Sequence, residues 1–285
     1  MNYYQPTNIN ELVQSLKTKT GNTFFAAGCT DFLVQRYGKP WYADGIISLN
    51  EVDFLKKIKK KPGCISIGAA CTHTQIEENA EIQKIFPALT AACGNIGSKQ
   101  IRNRGTIGGN LMNASPAADL FPVILALHGN VVLMNSNRGF RKLPADDFVT
   151  GSGTTALAAD EVLTAVELPR KDHNSISAFG KIGAQYHVTI AKISLSVSLT
   201  LTDRKITDSC VVLGAVGEKA CISYHASDVL LNHNLHKNLS AAFCDVLMEE
   251  VERMIPGRAS VRYKKYAVQG LGMDVMDELI KEIPV

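Results

Sequence analysis

Two short stretches of the 285-residue chain combine glycine, hydroxyl and amide side chains in ways that suit ligand binding: Ala26–Asp31 (AAGCTD) and Arg104–Asn110 (RGTIGGN). Glycine lets a ligand approach the main chain, and free amides at a turn or helix start bind phosphate oxygens without a lysine. Two such turns, each followed by hydroxyl and amide side chains, suit a nucleotide, although tight turns also use glycine with no ligand. No GxGxxG follows the first strand, and no GxxxxGK precedes a Ser or Thr, so neither the Rossmann nor the P-loop arrangement is available. Asp119 stands three residues after Pro116, at the front of an apolar run. It reads either as a first-turn helix residue favoured by the helix dipole or as a ligand to a ribityl or ribose hydroxyl. There is no Ser/His/Asp set, no paired carboxylates and no metal-ligand spacing, and the seven histidines are scattered.

The elements that must position these residues follow from periodicity. Asn10 or Thr7 caps a first helix carrying Leu12, Val13 and Leu16, which Gly21 ends. TFFAAG is a short buried strand running into the first glycine turn, and Gly45–Asn50 is the next strand. The interval leaves room for a crossover helix over Phe32–Tyr37, a βαβ-like opening. CISIGAACT is a further strand, followed by a mostly helical stretch capped by Thr72 or Thr74. The strand NVVLM, the turn NSNRG and the strand DEVLTAVELP come next, closed by Pro169. A polar connection at Lys171–Ser175 marks a domain boundary. Beyond it, ISLSVSLTLTDRKITDSCVVLGAVG alternates with period two as a long hairpin, and helical stretches around Asn238–Met254 and Val268–Ile283 end the chain.

Bulk properties narrow the class. The length suits two domains. A net charge of +3, from 30 basic and 27 acidic side chains, leaves no footprint for nucleic acid. Lys56–Lys61 (KKIKKK) is the local exception, a solvated face or a basic patch. No apolar segment suggests a leader or a membrane span. Seven dispersed cysteines (Cys29, Cys64, Cys71, Cys93, Cys210, Cys221 and Cys244) without a CxxC read as reduced thiols of a cytoplasmic protein. The same dispersal argues against a zinc or iron–sulfur site in this chain.

AGCTD together with QIRNRGTIGGNLMNASPAADLFPVILAL resembles the medium, FAD-binding subunit of the molybdenum hydroxylases, the group of xanthine dehydrogenase, nicotinate dehydrogenase and carbon monoxide dehydrogenase. The likeness extends over ISIGAACTHTQIE, DEVLTAVELP, SAFGKIG and ASVRYKKYAVQGL. It implies an α+β fold: a two-subdomain, PCMH-like FAD-binding domain over residues 1–170, with subdomains near 1–54 and 55–170 and FAD between them. A C-terminal domain of three- or four-stranded antiparallel sheet plus helices would occupy 176–285.

For the site, the resemblance implies that Phe25 to Phe32 line the pyrophosphate and ribityl chain through the amides of Ala27, Gly28, Cys29, Thr30 and Asp31, with Ala26 in the same run. Ile96 and Gly97 would lie near the adenine. Thr106, Gly108, Gly109 and Asn110 would form a second phosphate-facing turn, with Ser115 and Asp119 hydrogen-bonding further along the cofactor. Leu163 and Lys181 would meet the flavin ring or its edge. Two positions depart from the family pattern: Cys29 stands where a second glycine is usual, and Gly183, Ala184 and Gln185 stand where relatives often carry arginine. Tyr186 and His187 would sit near the flavin mouth or on a surface loop.

The implied function is an electron-transfer oxidoreductase subunit that lacks its own molybdenum and 2Fe-2S sites. A molybdopterin-binding large subunit and a 2Fe-2S small subunit would complete a heterotrimer, commonly a dimer of heterotrimers. Electrons would arrive from 2Fe-2S and leave through FAD to NAD⁺, with xanthine or another purine as first substrate and nicotinate-like rings second. A carbon monoxide dehydrogenase subunit, a stand-alone FAD oxidoreductase and a scaffold with a decayed flavin site are the other readings. No nucleic acid or membrane partner is expected.

Overall fold

The computed structural model describes residues 1–38, 40–170, 174–185 and 188–283. Tyr186, His187 and most of the Lys171–Ser175 connection lie outside the described residues.

The chain opens with a three-stranded parallel sheet in which Gly45–Ser48 lies between Asn2–Tyr4 and Thr23–Ala26. The helix Ile9–Lys17 covers it because Leu12, Val13 and Leu16 fall on one buried face. Asn8, rather than Thr7 or Asn10, is its cap: the Asn8 side chain accepts the amides of Asn10 and Glu11 at 3.0 and 3.1 Å. The helix stops at Lys17, ahead of Gly21. The expected crossover helix over Phe32–Tyr37 is absent, and the residues form a series of turns. Leu33, Val34 and Tyr37 are exposed, so no apolar stripe faces the sheet. The segment is held instead by Arg36, whose guanidinium stacks on Phe32 at 3.9 Å and on Phe24 at 4.7 Å and donates to the Phe32 carbonyl.

A five-stranded antiparallel sheet follows, in the order 58–61, 64–68, 161–169, 130–135, 140–144. The lysine-rich run forms its edge strand, where Lys60 and Lys61 pair with Glu81 and Glu167, both at 2.6 Å. The stretch after 72 is helical in three short pieces, and Thr72 caps the first with a reciprocal bond to Gln75. These helices, with Ile107–Asn113 and Leu120–Ala126, fill the main core.

The third unit is a four-stranded antiparallel sheet, 175–182, 193–202, 205–214 and 221–222. The long hairpin turns at Asp203 and Arg204, both with positive φ, as a two-residue reversal requires. Strand alternation splits its side chains between two cores. Val211 and Leu213 pack under the helices Lys237–Met254 and Val261–Lys281, while Cys210 and Val212 join the core of the preceding domain. The second of these helices begins earlier than the sequence suggested, and Tyr224–Leu230 is an additional helix. Gly214 lies against Pro122 on the domain-facing side, where a Cβ would come within 2.8 Å of Pro122 Cγ. The C-terminal sheet is thereby seated firmly on the helix that starts at Leu120. The architecture is α+β, and no helix among the described residues is long and apolar enough to cross a membrane.

Candidate functional site

A cavity of about 730 Å³ opens between the parallel sheet, the five-stranded sheet and the loop before Ala191. That is the size of a small-molecule or cofactor site. Of the residues the resemblance singles out, Phe25, Ala27 to Phe32, Ile96, Gly97, Thr106, Gly108 to Asn110, Ser115, Asp119 and Leu163 all line it. Ala26 and Lys181 do not. Ala26 ends its strand with its carbonyl bonded to the Leu49 amide at 2.8 Å.

The first glycine turn leaves the C-terminal end of the strand Thr23–Ala26. Amides of Gly28, Cys29, Thr30 and Asp31 have no acceptor among the described residues. Cys29 takes φ 59°, the left-handed conformation usual for glycine. Burial pushes its thiol upward from the ordinary range, against the opposing charge of Arg104, so it is no thiolate nucleophile. Gln35 bridges the Asp31 carboxylate to Asn113 Oδ1, at 2.8 Å from the latter, and ties this turn to the end of the helix Ile107–Asn113.

The second turn differs from the expectation of a row of free amides. Ile107 and Gly108 donate to the carbonyls of Cys71 and Ala69 at 3.0 and 2.9 Å. Gly109 donates to Thr106 Oγ1 and Asn110 to the Thr106 carbonyl. Only Thr106, between them, keeps its amide among the described residues. The glycines serve packing as well. A Cβ on Gly28 would lie 1.9 Å from the Arg104 carbonyl oxygen, and one on Gly108 would lie 2.6 Å from that of Ala69. Gly109 has room, with Thr106 Oγ1 at 3.0 Å as its one close neighbour.

Asp119 occupies the cap position of the helix Leu120–Ala126 without making a capping bond. Its Oδ2 accepts Lys181 Nζ at 2.6 Å, and its Oδ1 is sealed from solvent with no partner. Burial raises the carboxyl pKa and Lys181 opposes that rise. Lys181 also donates to the carbonyls of Asn95 (2.7 Å) and Thr189 (3.2 Å), so all three ammonium protons are engaged. It therefore stands behind Asp119 and clamps three segments together, rather than meeting a ring in the cleft. Asn110 Oδ1 is likewise buried and unpaired. Such orphaned acceptors call for a donor from outside the chain.

Sequence reading missed His73, Gln35, Arg36 and the loop residues Thr189 and Ile190, all of which line the cavity. His73 is brought there by an antiparallel bridge, Thr72 to Thr106, that no local pattern announces. The residues fit FAD. Free amides suit a diphosphate, buried unpaired acceptors suit hydroxyls or ring N–H groups, and Leu49, Ile96, Val162 and Leu163 give an apolar flank for a ring. No group of metal-ligating side chains occurs among the described residues.

Comparison with known proteins agrees with this geometry. The family described as FAD binding domain in molybdopterin dehydrogenase matches residues 1–171, and CO dehydrogenase flavoprotein C-terminal domain matches 178–279. The chain is 35% identical to the nicotinate dehydrogenase FAD-subunit of Eubacterium barkeri over 264 residues, 89% of this chain and 88% of that one. It is 27% identical to the xanthine dehydrogenase FAD-binding subunit of Escherichia coli O157:H7, covering 89% and 87%. Two solved structures share the fold. Carbon monoxide dehydrogenase from Hydrogenophaga pseudoflava matches with TM-score 0.87 at 23% identity, over 100% of this chain and 98% of that one. Quinoline 2-oxidoreductase from Pseudomonas putida 86 matches with TM-score 0.88 at 23% identity, over 99% and 97%.

Proposed function

The chain belongs to the FAD-binding medium subunits of the molybdenum hydroxylases, and from that membership we propose that it is the electron-transfer subunit of a hydroxylase acting on an N-heteroaromatic ring. Partner subunits carrying molybdopterin and 2Fe-2S clusters supply the electrons, and NAD⁺ takes them. Sequence reading places a purine first. The 35% identity to a nicotinate dehydrogenase subunit, against 27% for a xanthine dehydrogenase subunit, favours a pyridine carboxylate instead. One observation carries the assignment of the site: a run of unbonded amides at Gly28–Asp31 faces a cleft in which two buried acceptor atoms, Asp119 Oδ1 and Asn110 Oδ1, have no partner among the described residues.

FAD, when bound, collects single electrons and releases them in pairs. The protein's own residues bind and orient it. Amides of the first turn seat the diphosphate, and Leu163 with Val162 presents an apolar wall that keeps water from the ring. Asp119, with Oδ2 engaged by Lys181, offers its unpaired Oδ1 as acceptor for a hydroxyl or ring N–H hydrogen bond and removes no proton.

The test is anaerobic addition of nicotinate, or of xanthine, to this chain assembled with its two partner subunits. Bleaching of the flavin by one of them, reversed by NAD⁺, is the predicted result. Substrate turnover by the chain alone would replace this reading with a self-sufficient oxidoreductase, and a chain that takes up no FAD would replace it with a decayed scaffold.

A further inference from the structure

The segment Ala69–His73 is strapped along the second glycine turn. The Ala69 and Cys71 carbonyls take the amides of Gly108 and Ile107, and the His73 amide donates to the Gly105 carbonyl at 3.0 Å. The strap removes the N–H groups that a diphosphate would otherwise meet on this side of the cleft. It also delivers an imidazole. The His73 side chain packs on Gly105, where a Cβ would stand 2.9 Å from Cδ2 and 3.0 Å from Nε2. Gly105 in turn borders Gly28, whose own Cβ would lie 2.9 Å from Gly105 Cα. His73 is thus one residue removed from the free-amide turn, and it lines the same cavity.

His73 is 3% exposed, and neither ring nitrogen has a hydrogen-bond partner among the described residues. Nδ1 is sealed from solvent and Nε2 is not. Burial, aided by the charge of Arg102, pushes the His73 pKa down to about 4, so the ring is neutral and carries one proton. That proton belongs on Nε2, because a sealed N–H without an acceptor is worse than a sealed lone pair that can go unused. A buried, neutral donor with no protein acceptor, beside the anion seat, is built for an acceptor that arrives with a ligand.

We infer that His73 is a cofactor ligand, donating through Nε2 to the diphosphate of FAD and replacing on the second-turn side the amides consumed by the strap. This rests on the reading that FAD occupies the cleft.

The experiment uses the full chain stripped of flavin and titrated with FAD and, as a phosphate-free probe, riboflavin. In His73→Phe, which keeps a ring but no donor, FAD affinity is expected to fall roughly 10- to 100-fold. Riboflavin affinity and the melting temperature of the flavin-free chain should stay at wild-type values, and the phosphorus NMR signals of bound FAD should shift. His73→Gln, whose amide N–H reaches about as far as Nε2, should recover most of the loss, and His73→Asn should recover less. Wild-type FAD affinity in His73→Phe, or equal losses for FAD and riboflavin, would overturn the inference while leaving the flavin site intact. If His73→Phe does not fold, the Gln and Asn variants decide: equal FAD affinity in the two contradicts a contact through Nε2. Failure of the wild-type chain to take up FAD is a separate result, which removes the proposed function itself.

Discussion

The two glycine turns look alike in sequence and do opposite jobs in the fold. AAGCTD leaves a strand with the amides of Gly28 to Asp31 unspent, so it offers backbone donors to an anion. RGTIGGN has all of its amides but that of Thr106 bonded, to Ile101, to the strap at Ala69–Cys71 or to Thr106, so it contributes shape, and its polar groups come from neighbouring side chains. Glycine at Gly28 and Gly108 is required less by the ligand than by the protein, because the two turns and the strap stack backbone on backbone. A glycine-rich turn is therefore an anion site only when its amides have not already been claimed.

The comparison can be broken by substitution, and the largest effect belongs to Gly28→Ala. A Cβ 1.9 Å from the Arg104 carbonyl oxygen has no flexible neighbour to displace. Destabilisation on the order of 4 kcal/mol by chemical denaturation, with loss of bound FAD, is the expected outcome. Lys181→Met comes next. It leaves the Asp119 carboxylate buried without its 2.6 Å partner, at a cost of about 3 kcal/mol, and drives the Asp119 pKa further up. Thermal unfolding together with infrared titration of that carboxyl reports both.

Acid should act through the strap. His73 has a pKa of about 4 in the folded chain against 6.5 for an unburied histidine, so between those values the unfolded state binds a proton that the folded state refuses. Stability therefore falls as pH drops through 6.5 and ceases to fall from this source below 4. The His73 contribution to that loss, going from pH 8 to pH 5, is about 2 kcal/mol. The slopes of Glu161 and Glu167, both held below the ordinary carboxylate range, fall in the same direction, so the His73 share is the difference between wild type and His73→Phe in denaturant titrations of the flavin-free chain. A variant that loses as much stability as the wild type would contradict the buried neutral ring.

The smallest effects come from the two positions where the turns are forgiving. Gly109→Ala meets only a hydroxyl at 3.0 Å and should change stability by less than about 1 kcal/mol, in contrast with Gly28→Ala. Cys29→Gly relieves a side chain held at φ 59°, against the larger entropy that glycine loses on folding, and should move the melting temperature little.

Much of this was legible in the chain. The strands 23–26, 45–48, 64–68, 130–135 and 161–169 and the long hairpin announce themselves through short apolar runs and period-two alternation, which are local signals. The strands 2–4, 58–61 and 140–144 do not, and the helix cap stood open between Thr72 and Thr74. Phe32–Tyr37 misled because its apolar spacing suits a helix, while Arg36 stacking on Phe24 and Phe32 is a tertiary contact that settles it otherwise. The glycine positions were readable and their purpose was not, since whether an amide is free depends on a strap more than thirty residues away. Asp119 stood open between a helix-start residue and a ligand. The structure gives it the helix-start position and spends one oxygen on Lys181, leaving the other without a partner.

Residue-resolved amide hydrogen exchange on the full chain, with and without FAD, tests the central claim most directly. Amides of Gly28 to Asp31 should exchange rapidly in the flavin-free chain and become protected when FAD binds, while those of Ile107 to Asn110 should be protected in both states. Rapid exchange at Ile107 to Asn110 that FAD alone suppresses, with no change at Gly28 to Asp31, would contradict the account and move the anion seat to the second turn.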